Sequence, residues 1–144
     1  LPNLRVDHFT LPQETWAQPR LQIRYQLQPK LLLRGSAGQY VQEPEPQETS
    51  RLYGNKNIGS PWAWHYTAGF TKDFRKEGSE GLELTNNYFY KDLKDQVVPD
   101  VQKNYSNNGT GRIYGGEIQA KYRKGQWTSQ AVYTYLESYR RIPG

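Results

Sequence analysis

Aromatic residues alternate with small or polar residues in the stretch SPWAWHYTAGFTKDF, residues 60–74. Trp62, Trp64, Tyr66 and Phe70 share one parity. Successive side chains of a β-strand point to opposite faces, so this spacing predicts a strand with one apolar face. Helical periodicity is nearly absent and the alternation recurs along the chain, which predicts an all-β protein. The apolar face must then lie against a protein core or against lipid.

The alternation predicts seven strands, at about residues 4–9, 18–27, 31–41, 61–74, 82–93, 112–123 and 126–138. Short connections are expected at 28–30, 75–81 and 124–125, and long polar loops at 10–17, 42–60 and 94–111. In an up-and-down meander the short turns lie at one end of the sheet and the long loops at the other, as in outer-membrane barrels. The predicted fold is an antiparallel meander that forms an arc of a transmembrane β-barrel.

Charge and composition exclude several other classes of protein. The net charge of the 144 residues is +5, but the cations are spread along the chain without a zinc-finger or RNA-binding pattern, so no nucleic-acid partner is expected. The absence of cysteine excludes disulfides and thiolate nucleophiles. No run approaches the roughly 18 apolar residues of a membrane helix. No catalytic set, metal-ligand spacing or cofactor motif is present, so we expect neither an enzyme nor a bound metal or cofactor.

The last predicted hairpin separates an apolar from a polar face. With Lys124-Gly125 as a two-residue turn, the expected partners are Tyr122 with Trp127, Ile118 with Ala131, Gly116 with Tyr133, and Tyr114 with Tyr135. All of these residues share one face, whereas Glu117, Gln119 and Lys121 lie on the other. Both strands therefore agree on which face is apolar.

The predicted membrane-facing residues are Trp62, Trp64, Tyr66, Phe70, Ile118, Tyr122, Trp127, Tyr133 and Tyr135. Their aromatic rings form two belts about 20 Å apart, with alanine and isoleucine between them. The apolar band of an outer-membrane barrel is about 25 Å tall and has aromatic girdles at both interfaces. We therefore expect hydrocarbon on this face.

The opposite face is expected to line the lumen, with Arg24, Arg34, Glu83 and Glu117 as lumen charges. Arg24 and Arg34 are predicted to lie nearly opposite each other across a ladder, where like charges destabilise the sheet. Either they bind carboxylates of a plug or an anionic substrate, or Glu83 and Glu117 neutralise them. Two other folds remain open, namely an independent small outer-membrane barrel and a soluble β-sandwich or lipocalin-like binding module.

Four segments in order resemble the barrel of TonB-dependent outer-membrane receptors. These are QPRLQIRYQLQPKLLLRGSAGQYVQEP, GNKNIGSPWAWHYTAGF, NNYFYKDLKDQV and NYSNNGTGRIYGGEIQAKYRKGQWTSQAVYTYLES. They are similar to that family's Pro-Arg-Leu strand and tight turn, its Gly-Asn loop, its aromatic-acidic strand end and its Gly-Gly-Glu strand. The resemblance covers nearly the whole chain.

The resemblance implies a function as well as a fold. Such a receptor lies in the bacterial outer membrane, binds a scarce ligand such as a metal chelate, cobalamin or glycan, and imports it using energy from the inner membrane. Its partners are outer-membrane lipid, the rest of the barrel, the plug, and the TonB complex reached through the plug. The long loops would contact the ligand, and Trp16, Tyr40 and Tyr53 are the candidate ligand-binding residues.

The sequence departs from a complete receptor in its extent. No plug domain, no TonB box and no C-terminal barrel strand are recognisable in residues 1–144. Barrels of this family have 22 strands, of which seven would be roughly a third. The expected domain is therefore an internal β-barrel segment over residues 1–144.

Overall fold

In the part of the chain that the structure describes, the strands form a single antiparallel β-sheet of seven strands. A computed structural model describes residues 1–75 and 80–142. The strands are β1 (Pro2–Phe9), β2 (Glu14–Gln28), β3 (Leu31–Val41), β4 (Trp62–Asp73), β5 (Gly81–Asp100), β6 (Asn104–Lys124) and β7 (Trp127–Arg141). Each pairs with its sequence neighbours in the order β1 to β7. The predicted all-β meander of seven strands is confirmed.

Two of the three predicted long loops are wrong. The connection from β1 to β2 is only residues 10–13, and that from β5 to β6 only residues 101–103. The segments expected as loops at 10–17 and 94–111 instead continue the strands as paired hairpins. Of the three segments predicted as long loops, only residues 42–61 form a long irregular connection. Part of the predicted short turn at 75–81, residues 76–79, lies outside the described residues.

The β5–β6 hairpin is much longer than a membrane crossing. Its strands contain 20 and 21 residues, which at about 3.3 Å per residue is about 65 Å. A transmembrane strand needs only about 9–11 residues. The register shifts twice near the far end, between Leu93 and Gln96 and between Gln96 and Val98, and Asp95 adopts a positive φ of 52° there. Such irregularities increase strand twist and bend this end of the hairpin.

The strand register sorts the side chains into two faces, because directly paired residues point to the same side of a sheet. The apolar face carries Leu21, Ile23, Tyr25, Leu33, Ala37, Trp64, Tyr66, Ala68, Phe70, Tyr88, Tyr90, Tyr114, Ile118, Ala120, Tyr122, Trp127, Ala131, Tyr133 and Tyr135. The polar face carries Gln22, Arg24, Arg34, Ser36, Thr67, Thr71, Glu83, Thr85, Asn87, Glu117, Gln119 and Lys121. Asn86 is a polar exception on the apolar face.

No second layer covers the apolar face within the described part of the chain. Ile23, Tyr88 and Tyr133 are 58%, 57% and 67% exposed. The buried hydrophobic residues there are Ile58, Ala63 and Val98, all near the end of the sheet that carries the 42–61 connection. A soluble sandwich would bury one face of this sheet against another. The described residues contain only the one sheet.

The register of the last hairpin differs from the prediction by two residues. The turn is Gly125-Gln126 rather than Lys124-Gly125, and Gly125 supplies the positive φ of 56°. Tyr122 therefore pairs with Ser129 and Ile118 with Tyr133. A shift of two positions changes every partner but keeps every side chain on its face. The predicted division into faces therefore agrees with the structure.

Candidate functional site

The 42–61 connection packs against the far end of the β5–β6 hairpin, although about 50 residues separate the two in sequence. The Asn55 side chain donates a 2.8 Å hydrogen bond to the Tyr105 carbonyl, and the Asn104 side chain donates a 3.3 Å bond to the Gly54 carbonyl. Ile58 and Val98 are 2% and 1% exposed in this region. The connection is therefore a folded segment that packs against the far end of the hairpin.

Asn107 joins the loop to both strands of its own hairpin. Its Oδ1 accepts a 2.8 Å bond from the Gly59 amide, and its Nδ2 donates to the Gly59 carbonyl at 2.9 Å and to the Asp95 carbonyl at 2.8 Å. This side chain thus satisfies three backbone groups on two segments. Buried backbone groups need hydrogen-bond partners. Asn107 therefore fixes the position of the loop along the hairpin.

Glu14, the first residue of β2, holds the loop from the other side. Its Oε2 accepts a 3.1 Å bond from the Ser60 amide and a 2.9 Å bond from the Trp16 indole. Burial alone would raise the pKa of Glu14, but these hydrogen bonds hold that pKa below its usual value. The ionised carboxylate therefore stabilises the attachment of the loop.

Acidification is expected to loosen this attachment. Since the pKa of Glu14 is lowered by folding, its contribution is present above the ordinary glutamate pKa of about 4.3 and is lost as the pH falls through the lowered value. Protection of the Ser60 amide from hydrogen exchange should decrease over that acidic range. Glu14→Gln keeps an acceptor oxygen without the titration, so the pH dependence should disappear in that variant. An unchanged pH profile in Glu14→Gln would contradict this role.

A cationic cleft opens between the loop and the tip of the hairpin. It has a volume of about 800 Å³ and is lined by Ser50, Arg51, Gly54, Asn55, Lys56, Asn57 and Lys103. Three of the lining side chains are cations, and none of the described ones is acidic. The cleft therefore favours an anionic ligand with acceptor oxygens for the amide and ammonium donors. Arg51, Lys56 and Lys103 are not among the residues predicted from the sequence to bind ligand.

Of the three residues predicted to bind ligand, only Tyr53 lies in a loop. It is 79% exposed in the 42–61 connection. Trp16 lies in β2, where its ring packs 6.4 Å from that of Trp62. The placement of Trp16 in a loop is therefore wrong, because β2 begins at Glu14. Ligand contact by these residues stays a prediction.

Tyr40 lies near the end of β3, inside a stack on the polar face. Its ring lies 4.3 Å from the His65 ring and 4.2 Å from the Arg20 guanidinium carbon. A Cβ on Gly38 would come within 3.0 Å of Arg20 Cγ, so a glycine there makes room for this stack. The structure does not bring Tyr40, Trp16 and Tyr53 together at the cleft.

Arg24 and Arg34 are direct partners in the β2–β3 ladder, as predicted. Arg34 Nη2 donates to Thr71 Oγ1 at 3.1 Å and to Asn87 Oδ1 at 3.3 Å. Glu83 instead bonds Arg75 at 2.9 Å.

Glu117 accepts a 3.4 Å bond from Thr134. In the described structure Arg34 is therefore bonded to neutral acceptors rather than to either glutamate. All four charged residues share the polar face.

The residues predicted to face the membrane share the apolar face. Tyr66, Tyr90 and Tyr114 are paired across three strands, and the Tyr66 and Tyr90 rings are 6.3 Å apart. Trp62, the first residue of β4, donates a 2.6 Å hydrogen bond from its indole to the Asp95 carboxylate. Contact of these side chains with lipid stays a prediction at this point.

Residues 1–75 and 80–142 contain no group of three or more His, Cys, Asp or Glu side chains that could hold a metal ion. Over the same ranges, no helix has the length and apolarity needed to cross a bilayer.

The sequence matches a family model described as TonB dependent receptor-like, beta-barrel, over residues 1–144. The chain belongs to the TonB-dependent receptor β-barrel family. The predicted resemblance is thereby confirmed. The receptors of this family are β-barrels of the outer membrane that serve in transport. No curated protein matches the sequence.

The chain is similar in fold to the FrpB iron transporter from Neisseria meningitidis. The F3-3 variant has a TM-score of 0.68 at 17% identity, covering 87% of this chain and 20% of the transporter. The F5-1 variant in its apoprotein form has a TM-score of 0.69 at 18% identity, with the same coverage of both chains. The chain thus spans 20% of the length of these transporters.

Proposed function

We propose that the chain is part of the wall of an outer-membrane receptor that binds a scarce ligand outside the cell and imports it. The apolar face meets lipid, the polar face lines the lumen, and the 42–61 connection and the hairpin tip lie on the extracellular side. The observation that carries this proposal is the sheet itself, which has one continuous exposed apolar face opposite a polar one. Lipid is the solvent that makes such a face stable without a covering layer.

The proposed ligand class is an anionic metal chelate. Among metal chelates, cobalamin and glycans, the chelates are the class most often built from acidic oxygen donors, and Arg51, Lys56 and Lys103 provide matching cations. The similar FrpB transporter is an iron transporter, which is consistent with this class. Tyr53, exposed in the same connection, is proposed to stack on the ligand.

The proposed partners are those of the family. The segment 1–144 is a barrel domain piece that pairs with further strands of the barrel and encloses a plug, through which the TonB complex acts. Arg24 and Arg34 on the polar face are proposed to contact carboxylates of the plug or of the passing ligand. We propose no catalytic step and no resident cofactor for this segment.

Uptake by whole cells tests the proposed function. Strains with and without the full-length receptor gene are compared for uptake of a labelled ferric chelate, cobalamin and a labelled oligosaccharide. We expect the ferric chelate to accumulate only when both the receptor and TonB are present. Equal uptake of all three ligands with and without the receptor would overturn the proposal.

Charge reversal at the hairpin tip tests the cleft. Lys103→Glu in the full-length receptor should weaken binding of the anionic chelate about tenfold, because a cation lining the site becomes an anion. The matched control is Lys124→Glu, which makes the same change in the last residue of β6, at the opposite end of that strand. Binding is measured by titration at low and moderate salt. Equal losses in both variants would show that only net charge matters and would contradict a site at the cleft.

A further inference from the structure

Asn86 of β5 places an amide in the middle of the apolar face. It pairs with Phe70 on one side and with Ile118 on the other. Ile118 lies midway between Tyr114 and Tyr122 in β6. Asn86 is 7% exposed, and its Oδ1 has no hydrogen-bond partner among the described residues. An amide oxygen without a partner costs free energy in an apolar medium, so this oxygen needs a donor that the described chain does not supply.

An open groove on the apolar face gives access to this amide. The groove has a volume of about 450 Å³ and is lined by Asn86, Tyr88, Gly116, Ile118, Tyr133 and Tyr135 among others. Gly116 lets the Tyr88 ring lie close to the backbone of β6, because a Cβ on Gly116 would come within 3.0 Å of that ring. The groove therefore fits a side chain that is apolar along its length and carries a hydrogen-bond donor at its tip.

Tyr133 of β7 presents such a donor on the same surface. It borders the groove, is 67% exposed, and pairs with Ile118 between the two aromatic belts. The hydroxyls of Tyr114 and Tyr135 donate to Glu137, whereas the Tyr133 hydroxyl has no acceptor among the described residues. The same face thus carries an unpaired donor and an unpaired acceptor, and Ile118 separates them within one chain.

We propose that a second copy of the receptor covers this groove in the membrane, and that the Tyr133 hydroxyl of each copy donates to Asn86 Oδ1 of the other. The proposal rests on the assignment of the apolar face to lipid. A two-fold contact uses the same patch on both copies, so a residue that is a donor on one copy must meet its acceptor on the other, and the reverse. A patch with one donor and one acceptor meets this requirement.

The orientation of two receptors in one bilayer agrees with this pairing. Both copies point the same way, so their two-fold axis runs along the membrane normal and each residue keeps its depth. An axis through Ile118 places Tyr133 of one copy opposite Asn86 of the other, because Ile118 lies between them in the ladder. With strands about 4.8 Å apart and tilted by about 40°, the two residues differ in depth by about 6 Å. A tyrosine side chain is long enough to bridge this difference.

A lipid chain is the alternative occupant of the groove, and it matches the groove less well. Its methylene groups would leave both the Asn86 oxygen and the Tyr133 hydroxyl without a partner. No water replaces the missing partners at this depth of the bilayer. Protein surfaces associate within membranes through close packing and through hydrogen bonds of this kind, so the second copy is favoured.

The test measures dimerisation of the fluorescently labelled full-length receptor in bilayers, by counting photobleaching steps at decreasing receptor-to-lipid ratios. Tyr133→Phe removes the hydroxyl and keeps the ring, so the dissociation constant of the dimer should rise about tenfold. The matched control is Tyr25→Phe, which removes a hydroxyl from the apolar face in β2, outside the groove. It should leave the dimer unchanged. Monomers at every ratio for the unaltered receptor, or equal effects of the two variants, would overturn the proposal.

A double variant tests whether Asn86 is the acceptor. Asn86→Leu keeps a branched side chain but removes the amide, so it should also weaken the dimer about tenfold. Combining it with Tyr133→Phe should cause no further loss, because both changes remove the same hydrogen bonds. Additive losses would show that the two residues act separately and would overturn the pairing. A monomeric receptor that retains a lipophilic molecule in the groove would overturn it as well.

Uptake of the chelate separates this proposal from the proposed function. A receptor that imports the chelate but stays monomeric would refute the dimer alone. Dimers that form without any uptake of the chelate would refute the proposed import alone.

Discussion

Replacing Ala131 by arginine in the full-length receptor is expected to destabilise it by about 2–4 kcal/mol. Ala131 pairs with Ala120 on the apolar face, in the region between Tyr122 and Tyr133. An arginine there places a charge in hydrocarbon, where no water solvates it. The free energy of unfolding is measured by denaturant titration of the receptor refolded into lipid bilayers.

The neighbouring residue provides the control for this experiment. Val132 lies next in β7 and pairs with Gln119, so its side chain points to the polar face. Val132→Arg should cost no more than about 1 kcal/mol, because the lumen is wet. If Val132→Arg were the more damaging of the two, the assignment of the faces would be reversed.

Asn107→Ala is expected to release the 42–61 connection from the hairpin at a local cost of about 3 kcal/mol. The estimate is about 1 kcal/mol for each of the three hydrogen bonds that its side chain makes to Gly59 and Asp95. The loop would then open about 100-fold more often. Exchange of the Gly59 amide hydrogen is the direct measurement, since that amide donates to Asn107. Cleavage by an added protease within residues 42–61 should accelerate in parallel.

Asn108→Ala is the matched control for this variant. Asn108 is the next residue of β6 and is exposed. Its truncation should leave both the exchange rate and the cleavage rate unchanged. If the two alanine variants behaved alike, the loop would be held by something other than Asn107, and the packing described above would not govern its position.

The strand pattern and the division into faces could be predicted because both depend on parity alone. Trp62, Trp64 and Tyr66 share a face whatever their partners are. The partners of the last hairpin could not be predicted with the same certainty. A glycine with positive φ can occupy either central position of a two-residue turn, so Gly125 fits both registers.

The long hairpin and the cleft could not be predicted, for a different physical reason. Beyond the apolar band, polar residues occur on both faces of β5 and β6, so period-two alternation disappears while backbone pairing continues. The segment PDVQKNYSNNGTG therefore looks like a loop. The cleft depends on contacts such as Asn55 with Tyr105, which join segments about 50 residues apart. A pattern of neighbouring residues in the sequence does not predict such a contact.

The continuation of β5 and β6 as paired strands has a kinetic consequence for ligand capture. A flexible loop must become ordered as it closes on its ligand. That ordering slows association and lowers the binding affinity. Here Lys103 is held in place by a hairpin that is ordered before any ligand arrives. In the proposed function, the encounter with the ligand is then governed by diffusion and by the long-range attraction of the cationic surface. Selectivity among ligands would consequently depend on their dissociation rates.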